Sequence, residues 1–304
     1  VSVFNAYMTL SGAIDADVLR DERLSRRTTY RIGGPAALFV ACHSYAALAR
    51  TISVLAAERV EWVIVGKGSN LLVSDAGYEG CVIVLDGEFS RISFGDDGSV
   101  TAGAGTILSR LVNEALKAGL SGLEPCVGIP GTFGGAVSMN AGTRDEWIGR
   151  RVRDLVVLRP GEGLHRYGGA DVTWGYRATS IPTSEIVLEA TLDLEPRPSA
   201  EISADMEARL RRRREVQPLG APSCGSVFRN PPGRSAGILI ESCGLKGATH
   251  GGAQISPEHA NFIVNRGGAT AADVIALISR AHDAVRERYG IDLACEVKLL
   301  GFGA

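Results

Sequence analysis

Short apolar runs alternate with amphipathic stretches along most of the chain, and the periods predict a mixed α+β protein. The apolar run Ala37–Ala41 followed by the amphipathic stretch Tyr45–Glu58 reads as one βα unit. The run from Glu61 to Val65 is a buried strand that enters the glycine turn Gly66-Lys67-Gly68-Ser69-Asn70. Further strands are expected at Cys81–Leu85, Ser99–Ala102, Val152–Leu158 and Ile186–Leu194, with a helix from about Thr106 to Lys117 closed by Gly119. Glu195-Pro196-Arg197-Pro198 marks a linker into the basic helix Ala200–Arg214. Beyond a turn-rich stretch, Pro218–Gly233, come a short helix at Ala236–Cys243 and a strand at Asn261–Val264. A long helix then starts at Thr270, has Asp273 placed as in a capping box, and stops at Gly290. Residues 1–30 read as polar and irregular, ending in the charged stretch Asp21–Arg27.

Composition narrows the possible functions. At 304 residues and 45% hydrophobic content, two or three units sharing one cleft are expected. A net charge of −2 gives no long-range attraction for polyanions, which argues against a nucleic-acid or membrane-surface binder and for small-molecule partners. The first residues lack a basic stretch followed by an apolar segment, and no apolar run approaches the ~18 residues of a membrane span, so a cytoplasmic location is the expectation. The six cysteines are dispersed, with no CxxC pair and no histidine at metal-ligand spacing; they are expected to be reduced and mostly buried, with no metal. Glycine, at 38 residues, is the outlier, and its clustering suggests close approach of backbone to backbone or ligand.

Individually the motifs are modest signals. Gly66–Asn70, directly after a strand, places backbone N–H groups where an anion could sit, or is simply a tight turn; the two readings weigh about equally. It lacks the third glycine of a dinucleotide fingerprint, and no P-loop occurs. The stretch Gly128–Gly142 (GIPGTFGGAVSMNAG) suits a backbone wall around a flat or phosphorylated ligand, anchored by Ile129, Phe133, Val137 and Met139, better than a mobile surface loop. Ser226 has no GxSxG context and none of the five histidines forms an obvious triad with it, which argues against a serine hydrolase and makes a turn serine the plainer reading. Arg211–Arg214 ends a helix, where cations favour the dipole and face solvent; that covers three of the four. Arg177 and Glu296 alone would be ordinary surface or salt-bridge residues.

Taken in order, Thr28–Ala36 (TTYRIGGPA), Gly66–Val73 (GKGSNLLV), Gly128–Gly142, Tyr176-Arg177, Gly225–Pro231 (GSVFRNP), Gly244–Gly247 (GLKG), Gly251–Asn265 (GGAQISPEHANFIVN) and Glu296-Val297 resemble the UDP-N-acetylenolpyruvoylglucosamine reductase family over about 270 residues. The resemblance implies a flavin-binding fold of the vanillyl-alcohol-oxidase type in two subdomains, residues 1–65 and 66–197, with a C-terminal α+β substrate-binding domain at 198–304. It implies non-covalent FAD, since Arg31–Ala36 offers no histidine or cysteine for attachment, and NADPH as hydride donor. The substrate would be UDP-N-acetylglucosamine enolpyruvate, reduced to UDP-N-acetylmuramate for peptidoglycan synthesis, and a monomer is the default expectation.

The same resemblance assigns residues. Gly66, Lys67, Gly68, Ser69, Asn70, Gly131, Gly134, Gly135, Ala136 and Ile186 fall at flavin positions. Arg214, Asn230, Lys246 and His259 fall at substrate positions, and Arg177, Ser226 and Glu296 match the catalytic residues. Hydride addition to the enolpyruvyl methylene pushes charge onto the carboxylate, which Arg177 can stabilise with Glu296 nearby, and Ser226 can protonate the α-carbon. The chain departs from the family at Arg144, where an aromatic is common, at Thr179, where serine is usual, and at His259, where some members have glutamine. Only eight residues separate Arg177 from Ile186, so the tyrosine-bearing lid loop of the longer class is absent and the chain resembles the shorter class. An FAD-linked alcohol or sugar oxidase would explain the N-terminal motifs but leave those after Ser223 unexplained; a nucleotide-sugar sensor would be favoured by loss of Arg177, Ser226 or Glu296, and all are present.

Overall fold

A computed structural model of the chain describes residues 2–303. The fold divides into two compact units: one holds the chain up to Arg20, Leu38–Gly66 and Gly80–Arg211, and the other holds Asp21–Ala37, Lys67–Glu79 and the chain from Arg212 on.

The first unit contains a five-stranded antiparallel sheet in the order Gly163–Gly168, Val152–Arg159, Ile186–Asp193, Ser99–Gly103, Ile92–Phe94. Its central strand, Ile186–Asp193, buries Ile186, Val187, Leu188, Ala190 and Leu192, as expected of a strand flanked by partners and covered by helix. The helix Leu108–Lys117 packs through Leu108, Leu111, Val112 and Ala115, an i, i+3, i+4, i+7 stripe. Leu111 is fully buried, so truncation to alanine would cost about 2–5 kcal/mol. A four-stranded sheet runs in the order Ala16–Arg23, Pro35–Cys42, Tyr78–Leu85, Trp62–Ile64, the last pair parallel.

The second unit has its own core around Tyr30, Leu72, Phe228, Ile255, Val274 and Val285. The helix Ala271–Tyr289 begins with a complete capping box: the Thr270 hydroxyl accepts from Asp273 N, and the Asp273 carboxylate accepts from Thr270 N at 2.9 Å. The backbone N–H groups of Thr270 and Gly252, both donating to the carboxylate, hold the Asp273 carboxyl below its usual range. Gly290, at φ 65°, ends the helix in the left-handed region, as its sequence position predicts.

The first thirty residues overturn the expectation of irregular chain. Val3–Leu10 is a helix capped by Ser2, and Ala16–Arg23 is a strand. The helix buries only Ala6 and Leu10, and the strand ADVLRDER lies at a sheet edge with no buried residue, so neither needs the apolar periodicity by which such elements are recognised. Among the described residues no helix is long and apolar enough to cross a membrane.

Candidate active site

In the first unit, Thr132 caps the short helix Phe133–Ser138 by accepting from Gly135 N. Phe133 and Val137 are fully buried anchors, as the sequence suggests, while Ile129 and Met139 are half-buried. Close packing accounts for several of the glycines. A Cβ on Gly134 would stand 2.6 Å from that of Ala104, and one on Gly66 would stand 2.4 Å from the Thr132 hydroxyl. The structure therefore brings the end of the Gly66 strand against the Gly131–Ala136 segment. The Gly134 N–H already donates to Ala104 O at 2.8 Å, and Gly131 O accepts from Leu108 N at 3.1 Å. Gly135 differs: it is exposed, and an added Cβ would meet only the Thr132 hydroxyl at 3.5 Å. Ala136 is buried. Ile186 is buried in the sheet core, paired with Leu158, so its backbone rather than its side chain is left for a ligand.

Arg177 occupies the tip of a hairpin in this unit. Trp174-Gly175 pairs with Ala178-Thr179, and Tyr176 and Arg177 form the turn between them. Arg177 has φ 54°, a left-handed conformation that a β-carbon disfavours, and its guanidinium carbon lies 5.3 Å from the Tyr176 ring centroid. Asn140, buried at the end of the glycine segment, donates its amide to Gly175 O at 2.8 Å. Arg144 is exposed, and the Thr179 hydroxyl donates to Ser138 O at 3.4 Å.

In the second unit, the remainder of the glycine turn is tied to the C-terminal segment. Gly68 has φ 58°, and a Cβ there would meet Arg27 O at 2.6 Å. Lys67 is exposed, and Ser69 is half-buried. The Asn70 amide donates to Glu296 O at 3.1 Å, Lys298 N donates to Asn70 O at 3.0 Å, and Lys298–Leu300 continues as a parallel strand beside Leu71–Val73. Glu296 thus sits just before the strand rather than within it.

Ser226 is brought to the same place. Glu296 N donates to Val227 O at 2.7 Å, and Arg229 N donates to Ala294 O at 2.9 Å, so the backbone carrying Ser226 runs beside that carrying Glu296. Asn261, which the sequence reading left without a role, fixes this segment. Its backbone oxygen accepts from Val227 N, its side-chain oxygen accepts from Phe228 N at 2.9 Å, and its amide donates to Phe228 O at 2.8 Å. At 3% exposure these bonds are shielded from water. Burial drives the neighbouring Cys224 thiol up, so it is an inert neutral group.

The residues expected at the substrate lie in several places. The Asn230 side-chain oxygen accepts from Ala236 N at 3.0 Å, at the start of the helix Ala236–Ser242. Lys246 pairs with Glu241 at 3.0 Å. His259 accepts from Asn261 N through Nδ1 at 3.1 Å, which places its proton on Nε2. Burial, and secondarily the Lys246 charge, hold its imidazole below the usual range. Arg214 is exposed in the last turn of Ser199–Val216, with Arg211 and Arg212 also exposed and Arg213 half-buried, as helix-end cations are expected to be.

Comparison with known proteins decides the family. Residues 36–160 match the FAD binding domain family, and residues 217–300 match the family described as UDP-N-acetylenolpyruvoylglucosamine reductase, C-terminal domain. A UDP-N-acetylenolpyruvoylglucosamine reductase from Heliobacterium modesticaldum is 45% identical, with 93% of this chain and 90% of the relative covered. One from Moorella thermoacetica is 43% identical, with 97% of each covered. The chain belongs to the UDP-N-acetylenolpyruvoylglucosamine reductase family. The crystal structure of a UDP-N-acetylenolpyruvylglucosamine reductase from Thermus caldophilus superposes with a TM-score of 0.81 at 40% identity, covering 94% of this chain and 98% of the other.

This reductase-family chain is thus an oxidoreductase with an FAD-binding domain and an α+β C-terminal domain. The oxidase alternative shares only the flavin half, and the match over 217–300 sets it aside. Among the described residues, no group of three or more His, Cys, Asp or Glu is placed to hold a metal ion.

Proposed function

We propose that this chain reduces the enolpyruvyl ether of UDP-N-acetylglucosamine enolpyruvate to UDP-N-acetylmuramate in peptidoglycan precursor synthesis, using non-covalent FAD with NADPH as hydride donor. Residues 1–65 and 66–197 would serve the flavin and 198–304 the substrate. Nucleotide-sugar precursors and NADPH are cytoplasmic metabolites, so the reaction is assigned to the cytoplasm; a monomer is the proposed state.

The observation that carries the reading is the 2.7 Å bond from Glu296 N to Val227 O, which sets Ser226 and Glu296 on adjoining backbone in the domain that matches the reductase family. The residues also fit a flavin: Gly135 is exposed beside the Thr132 cap and carries no side chain, which leaves room for a planar ring to approach. Gly66, Lys67, Gly68, Ser69, Asn70, Gly131, Gly134, Ala136 and Ile186 complete the flavin assignment, largely through backbone.

Held by Gly66–Asn70 and Gly131–Ala136 and first reduced by NADPH, FAD would supply the hydride that the methylene carbon of the enolpyruvyl group takes up. The Arg177 guanidinium would stabilise the charge that gathers on the substrate carboxylate, with Glu296 near the reacting group. The Ser226 hydroxyl delivers a proton to the α-carbon. Arg214 and Lys246 supply positive charge to the diphosphate, with Asn230 and His259 as hydrogen-bonding partners of the nucleotide portion.

The test is an anaerobic titration of the FAD-loaded protein. NADPH should bleach the flavin, and the enolpyruvyl UDP-sugar should then restore its colour. A flavin that NADPH reduces but this sugar never reoxidises would reject the substrate assignment.

A further inference from the structure

Arg177 stands on a two-residue turn in a conformation that a non-glycine residue keeps only when its surroundings over-determine it. Those surroundings converge on Asn140. This residue is 2% exposed and itself left-handed, at φ 45°, directly beyond the glycine-segment helix. Its amide donates to Gly175 O at 2.8 Å, adjacent to the turn, and its side-chain oxygen accepts from Gly149 N at 3.1 Å. Gly149 in turn lies against the Trp174 ring: a Cβ there would stand 2.3 Å from Cδ2 and Cε3. The Trp174 indole donates to Gly169 O at 2.9 Å. One carboxamide therefore joins the backbone of the hairpin's first strand to the glycine under its tryptophan.

A plainer role as a buried helix-end polar residue requires only that its polar atoms be satisfied nearby. Asn140 instead reaches across thirty-five residues to the carbonyl next to the turn. A second tie, from the Thr179 hydroxyl to Ser138 O, holds the hairpin's other strand to the same helix end. Both strands beside Arg177 are thereby anchored to the segment expected to line the flavin.

We propose that Asn140 is a positioning residue for the reaction: its carboxamide sets the hairpin that carries Arg177, and so where the guanidinium meets the substrate carboxylate. The inference rests on the role given to Arg177 under the proposed function. Asn140→Asp keeps the acceptor for Gly149 N but turns an oxygen toward Gly175 O, and Asn140→Gly keeps the left-handed backbone while removing both bonds.

The experiment follows flavin reoxidation by the enolpyruvyl UDP-sugar in the NADPH-reduced holoenzyme, with bleaching by NADPH as the internal control. Asn140→Asp is expected to slow reoxidation by on the order of 10²-fold, the scale of an ångström misplacement, with bleaching retained. In an Arg177→Ala background the same change should add nothing, because it acts through the missing guanidinium. Should the two effects multiply, or should both Asn140 variants reoxidise at the parental rate while Arg177→Ala is slow, the inference is overturned. A parental rate in Arg177→Ala itself rejects the role of Arg177, and the inference with it. If Asn140→Asp does not fold, Asn140→Gly in both backgrounds gives the same comparison.

Discussion

The backbone N–H of Glu296 donates to the carbonyl of Val227 at 2.7 Å, joining segments that lie far apart in the chain. Ser226 immediately precedes the residue bearing that carbonyl, and Arg229 N donates to Ala294 O at 2.9 Å, so the positions of the two proposed catalytic residues are coupled through paired backbone. Asn261 closes the arrangement from the opposite side by bonding both Val227 and Phe228.

Replacing Ser226 with alanine should separate the halves of the reaction. Only the second half needs a proton on the substrate α-carbon, so NADPH should still bleach the flavin near the normal rate, while reoxidation slows by about 10²–10⁴-fold. Stopped-flow absorbance reads both. Equal slowing of the two halves would mean a disturbed flavin site, and no slowing of either would return Ser226 to an ordinary turn residue.

Gly135→Ala should act oppositely on stability and on flavin affinity. The position is helical and exposed, and a Cβ there would make only ordinary contact with the Thr132 hydroxyl, so alanine should raise the stability of the flavin-free protein by up to about 1 kcal/mol. If the bare backbone there lies against FAD, the added methyl weakens flavin binding. Gly134→Ala is the contrast, since its Cβ would collide with Ala104 whether or not flavin is present. Unchanged FAD affinity in Gly135→Ala would remove this position from the flavin site.

Asn261→Ala should lower unfolding free energy by about 1–3 kcal/mol for each buried Phe228 group it leaves unpaired. Urea unfolding of the parent and variant measures this. A loss well under 1 kcal/mol would show that water or a rotated neighbour satisfies Phe228, and that Asn261 does not brace the Ser226 segment.

His259 gives a pH signature. Its folded-state pKa is depressed by burial, so the unfolded chain binds the proton more readily. The stability linked to neutral His259 is therefore fully present above its unfolded pKa of about 6.5 and is lost as pH falls through the lower folded value. Protonation would also set an Nδ1 proton against the Asn261 N–H. In His259→Gln, unfolding free energy should fall less steeply with acid below about pH 6.5. Parallel pH profiles for the two proteins would contradict the buried, neutral assignment.

The longer elements between Pro35 and Gly290 were legible in the sequence because they rest on local physics: apolar periodicity, the Thr270–Asp273 capping box and the left-handed stop at Gly290; the strand Gly163–Gly168 and the short helix Phe133–Ser138, which bury little or are rich in glycine, were not. The ordered motifs likewise named the family and pointed to Arg177, Ser226 and Glu296 as residue types suited to a developing carboxylate charge and a proton transfer. Only the tertiary structure decided what holds those residues. The strand Leu71–Val73 finds its partner in Lys298–Leu300, more than two hundred residues away, and a period-two pattern cannot say which segment a strand will pair with. Asn140 and Asn261 fall within the motifs Gly128–Gly142 and Gly251–Asn265, but nothing there states their roles, since a carboxamide acquires its role from the backbone groups that folding brings within about 3 Å of it. Val3–Leu10 and Ala16–Arg23 became helix and edge strand without a clear signal because the helix buries only Ala6 and Leu10 and the strand buries no residue.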